Sequence, residues 1–99
     1  MEEAKRRYVI GQFKDNVDLK VKAELFQTSK SIAKNRINKN SKFNENMALQ
    51  KCSYVLGILE TLYMMGKISI DAKDWGYDYF TKVLVDEEIE KLEIENGAE

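Results

Sequence analysis

Residues 46–65 read NMALQKCSYVLGILETLYMM, and this stretch decides the fold. At 100° per residue, Ala48, Leu49, Cys52, Val55, Leu56, Leu59, Leu62 and Tyr63 gather on one broad helical face. Met47, Tyr54, Ile58 and Met65 widen that face to roughly 220° of arc. A helix this apolar is expected at the centre of a bundle, covered by other helices or by a second copy of the chain. Gly66 follows where a left-handed C-cap is wanted.

Working outward toward the C-terminus, Gly66-Lys67-Ile68-Ser69 reads as a tight helix–helix turn. Ser69 suits an N-cap, and Asp71 suits the positive end of the next helix. That helix carries Ala72, Trp75, Tyr79 and Val83 along one side, with Phe80 and Leu84 beside them. Beyond Asp86 the pattern changes to Val85, Ile89 and Leu92 among acids, as a continuation or a separate last helix.

Toward the N-terminus two readings compete. As helix, Asp15 or Asn16 caps a segment in which Val17, Val21, Leu25, Thr28 and Ile32 form a stripe. As strand, residues 17–23 alternate with period two and pair with Tyr8–Phe13 across Lys14-Asp15-Asn16, making a β-hairpin over residues ~7–22. Propensity and the cap favour helix. The fold expected is therefore mainly α: a compact antiparallel bundle of three to four helices, one domain over residues 1–99, with 46–65 at its centre and the N-terminal β-hairpin as the alternative.

Composition narrows the function classes. The chain has 99 residues, no Pro, no His and one cysteine. Without Pro, long uninterrupted helices are favoured. One cysteine allows no intrachain disulfide, and together with the lack of a signal-peptide pattern it points to a cytoplasmic setting. The most apolar run, Cys52–Met65, contains Glu60 and falls short of the ~20 residues a membrane span needs. Lys outnumbers Arg by 13 to 3, which suggests an AT-rich coding genome, bacterial or phage.

No enzyme is expected. The commonest general base and zinc ligand are both missing with His. Cys52 lies on the inner side of the most apolar helix, where a thiol packs rather than reacts. No Gly-rich phosphate loop exists. Asp71, Asp74 and Asp78 recur at i, i+3 and i+7 and suit a solvated helix face better than a cation site, so neither metal nor cofactor is expected.

Charge is divided along the chain. Residues 1–50 hold 11 Lys/Arg and 6 Asp/Glu, a balance of +5; residues 51–99 hold 5 and 11, a balance of −6. Such halves either attract one another in the fold or present two binding surfaces. The basic candidate is the acid-free run Leu25–Asn44, with Lys30, Lys34, Arg36, Lys39 and Lys42 as phosphate donors. The acidic candidate is Asp71, Asp74, Tyr77 and Asp78, with tyrosine offered beside carboxylates to a basic protein surface. The function expected is non-catalytic binding of another macromolecule, most readily a protein, as an accessory protein inhibiting a host defence or nucleic-acid machine. The alternatives are a small nucleic-acid-binding regulator using segment 30–42 and a structural homo-oligomer.

Overall fold

The computed structural model describes residues 1–38 and 42–97. Among them are five α-helical stretches: α1 (Glu3–Asn16), α2 (Leu19–Ile37), α3 (Lys42–Met64), α4 (Ile70–Asp78) and α5 (Leu84–Gly97). The last two are one continuous rod, joined by a π-helical turn at Tyr79–Val83. At 1.5 Å per residue the rod is about 42 Å long, which accounts for the 44 Å long axis of the molecule.

No strand occurs among the described residues, so the β-hairpin over residues 7–22 is not formed. Its alternation belongs to a helix–turn–helix instead. Val9 and Phe13, four apart, are buried from α1, and Val17 is buried in the turn with extended backbone. The Asp18 carboxylate then caps α2 by accepting from the Lys20 amide at 2.7 Å. A hairpin would have placed Leu19 inside with Val17 and Val21; Leu19 is 76% exposed. The cap lies two or three residues later than Asp15 or Asn16. The stripe expected of the helix holds from Leu25 onward, with Leu25, Thr28 and Ile32 buried.

The central helix starts earlier than residue 46 and ends as expected. Gly66 has φ 72, Lys67 N–H donates to the Leu62 carbonyl and Gly66 N–H to that of Tyr63. This is the paired closing pattern of a Schellman motif, and it needs a residue that tolerates left-handed backbone. Ser69 caps α4 through its Oγ, which accepts from the Ala72 amide at 3.0 Å. Tyr8 and Gln12 of α1 fasten that turn: the Tyr8 hydroxyl lies 2.7 Å from Ser69 Oγ, and Gln12 Oε1 accepts from Ser69 N–H.

The rod changes partners along its length. Its α4 part packs on α1 and α3, while α5 packs on α2. The π turn makes the change possible, because it uses more residues per turn and swings everything beyond it back around the axis. Two of its carbonyls are met by α2: Phe80 O accepts from Ser29 Oγ at 2.6 Å, and Thr81 O from Arg36 Nη1 at 3.4 Å. The Phe80 ring fills the centre, edge-on to Phe13, Phe26 and Tyr79 at centroid separations of 5.3, 5.6 and 5.0 Å.

Candidate functional site

Three surfaces remain once the core is assembled. The first is a groove between the antiparallel helices α2 and α3. One end, of about 460 Å³, is polar and includes Gln27, Lys30, Ser31, Lys34 and Lys51. The other, of about 870 Å³, is floored by Val21, Gly57, Ile58, Leu62 and Met65. Glu24 and Tyr54 belong to both and divide them. The Tyr54 hydroxyl donates to Glu24 Oε1 at 3.0 Å, and this bond to a carboxylate holds the phenol above its ordinary pKa.

Of the basic residues expected from sequence, Lys30 and Lys34 stand together in this groove, one turn apart and exposed. Arg36 does not join them. It turns inward, reaching the Thr81 carbonyl and, at 3.9 Å, Cys52 Sγ. Lys42 is exposed at the start of α3, and Lys39 lies outside the described residues. Lys51 was missed by the sequence reading because it comes from the other helix and sits in an acid-poor but otherwise ordinary stretch. Folding α3 back antiparallel on α2 brings it beside Ser31 and Asn35, a pairing that needs the packing of the two helices and not the order of residues alone.

The second surface lies on α4. Asp71 and Asp74 are exposed and Asp78 is half-buried. They are interleaved with cations: Lys82 lies 3.6 Å from Asp78, and Lys73 3.9 Å from Asp74. Tyr77 is not free of the core; it is half-buried and packs against it. Trp75, expected inside, is also half-buried, edge-on to Tyr8 and beneath the Lys5 ammonium. Among the described residues no three His, Cys, Asp or Glu side chains are grouped to hold a metal ion.

The third surface is the outer side of α3. Leu49 is 65% exposed, Leu56 37% and Met64 83%. The spacing 49, 56, 63 places them with Tyr63 on one ridge, broken only by Ser53 and Glu60. The Lys73 ammonium lies 5.3 Å from the Tyr63 ring centre, so the side of α4 bearing Ile70, Lys73 and Tyr77 continues this ridge. Ile70 too is exposed.

The two charge halves meet where the basic α2 packs along the acidic α5, with Lys30 lining one concavity together with Glu87 and Glu88. Among the described residues a single ion pair joins them, Arg6 to Glu87 at 2.9 Å, with the second carboxylate oxygen at 3.1 Å. No described helix is long and apolar enough to cross a membrane. Comparison with protein-family models, curated proteins and solved structures finds no match. Function therefore has to be read from these surfaces.

Proposed function

We propose that the protein works by binding, without chemistry of its own, and that its partner is another protein that covers the outer ridge of α3. One observation carries this: Leu49, Leu56 and Met64 form an exposed apolar line on the most apolar helix of the chain. Single exposed apolar residues are commonplace, whereas a contiguous line edged by charge is the usual form of an interaction surface. The charge here is mixed, with Glu60 exposed on the ridge and Asp74 beside it paired with Lys73. Charges of both signs around an apolar centre suit a protein surface of complementary pattern and speed encounter with it.

Within that reading, the finer proposal is an accessory protein of a phage or mobile element that blocks a host defence or nucleic-acid machine. Its support is the Lys-for-Arg usage together with Glu60, a carboxylate exposed on the ridge that a basic nucleic-acid-binding groove would attract. The second reading is a structural homo-oligomer, favoured by the same ridge, since a second copy would cover it equally well.

The test is a tagged pull-down from nuclease-treated source cells, run beside a Leu49→Ser/Leu56→Ser variant, with sedimentation of each at micromolar concentration. A single identified protein captured by the parent and lost from the folded variant supports the proposal. A parent that sediments as a dimer while the variant is monomeric gives the function to self-assembly instead. Equal capture by both proteins removes α3's outer ridge from consideration.

A further inference from the structure

The polar end of the α2–α3 groove gathers charge that the outer ridge does not use. Lys30, Lys34 and Lys51 converge on one concavity. Among the described residues none of the three is within 4.0 Å of a carboxylate. Lys30 and Lys34 are four apart on α2, a spacing at which like charges oppose helix formation. The acid in the lining, Glu24, is engaged by the Tyr54 hydroxyl.

Lys51 is held rather than neutralised. Its Nζ donates to Ser31 Oγ and to Asn35 Oδ1, each at 2.6 Å. Both acceptors are uncharged, so they aim the ammonium without cancelling it. The Asn35 amide is itself oriented, because its Nδ2 donates to Asn44 Oδ1 and Asn44 Nδ2 donates to the Asn38 carbonyl. Ser31 Oγ is an acceptor in this arrangement, which leaves its own proton to donate. The third ammonium proton of Lys51 is likewise unspent on these two partners.

From this geometry we infer a binding site for a terminal phosphate group, a phosphomonoester, in the groove between α2 and α3. Lys51 is the positioned donor at its floor, Lys30 and Lys34 are the mobile cations at its rim, and the Ser31 hydroxyl and Gln27 amide supply neutral hydrogen bonds. Lysine meets phosphate as a point charge and needs no fixed approach plane. Three such charges around one concavity suit a doubly charged terminal group better than a backbone diester, whose single charges are spaced along a track. The apolar end of the groove, beyond Tyr54, receives the organic part of the ligand. This site is separate from the outer ridge, since Lys51 stands about 200° around α3 from Leu49.

The same terminal phosphate is offered by a soluble nucleoside monophosphate and by the headgroup of phosphatidic acid, so both serve as probes. Titrate each at low salt against the whole chain: the monophosphate by amide-shift NMR, and vesicles of phosphatidic acid by co-sedimentation against neutral vesicles. The expected result is saturable binding of at least one, with shifts centred on Lys30, Ser31, Lys34 and Lys51. Lys51→Met should weaken it about tenfold or more, the loss of one charge-assisted donor. The exposed pair Lys30→Gln/Lys34→Gln should weaken it as well, and serves if the Lys51 variant folds poorly. Binding of the monophosphate alone assigns a soluble ligand, and binding of the vesicles alone assigns a headgroup. No binding of either by the folded parent overturns the site. So does binding that Lys51→Met leaves unchanged, or binding of single-stranded DNA with neither phosphomonoester bound.

Discussion

The two sides of α3 are built from the same residue types and meet opposite fates. Inward, Ala48, Cys52, Val55, Leu59 and Leu62 are buried, with Val55 and Leu59 fully so. Outward, Leu49, Leu56, Tyr63 and Met64 are exposed. Hydropathy alone sees one arc of roughly 220°. What separates the two sides is the supply of neighbours. With α2 and the rod assembled, about half of the arc is covered, and among the described residues no further helix packs over the rest. An apolar residue on this helix is therefore core or interface according to which side it occupies.

The sharpest way to break that comparison is to truncate one leucine on each side. Leu59→Ala should cost about 2–5 kcal/mol, from lost burial and the cavity left behind. Leu56→Ala should cost less than about 1 kcal/mol. Urea unfolding of both variants checks this, and equal losses would mean that the two sides are not distinct.

Next in size is the hydrogen bond that seats α2 on the rod. Ser29 is 2% exposed, and its hydroxyl meets the Phe80 carbonyl. Ser29→Ala leaves that carbonyl short of a partner and should cost about 1–3 kcal/mol. Thermal unfolding measures it; a loss inside surface scatter would show the carbonyl to be satisfied without Ser29.

Tyr79, buried on the inner side, makes stability depend on pH. Burial raises its pKa above the ordinary 10.0, and the nearby Arg6 guanidinium lowers it less than burial raises it. The folded chain thus keeps the phenol protonated at pH values where the unfolded chain has released the proton. Its contribution is fully present below about pH 10 and is lost as pH rises through the higher folded value. Unfolding midpoints from pH 8 upward should fall more steeply for the parent than for Tyr79→Phe. Parallel slopes would remove Tyr79 from the account.

The smallest expected effects come from two glycines, Gly57 exposed in the groove and Gly76 buried on α4. A methyl at Gly57 meets nothing within 4 Å, and one at Gly76 meets Leu59 Cδ2 and Phe13 Cε2 at 3.6 Å, ordinary packing distance. Both are helical, so Gly57→Ala and Gly76→Ala should each stabilise by about 0.4–1 kcal/mol. A loss at Gly76 alone would show that the inner side is packed more tightly than its distances indicate.

Much of this fold was legible in the sequence, because helix signals are local. The Gly66 cap, the Ser69 cap and the inner stripe of α3 follow from neighbours in the chain. The β-hairpin alternative failed for an equally local reason: the Asp18 cap outweighed an alternation that ran for only seven residues. What the sequence hid was relational. Arg36 reads as one cation among five until the carbonyls of the π turn are laid beside it, and Lys51 reads as isolated until α2 is folded across it. Exposure of Tyr77 could not be judged before the π turn set the rod's phase, since that turn leaves no mark in the apolar pattern of Tyr79–Val83.

Insertions and deletions are normally tolerated in loops and punished in helices by degree. The π turn makes an exception to that rule. An α-helix crossing the same span would manage with one residue fewer, and Lys82 is the exposed candidate for removal. Deleting it would let the rod close as regular α-helix while everything from Leu84 onward keeps its facing, because the residue removed is the one the π turn absorbs. Val85 would stay buried and Glu87 would stay within reach of Arg6. The helical position most open to deletion thus lies in the middle of the chain's longest element, at an exposed lysine.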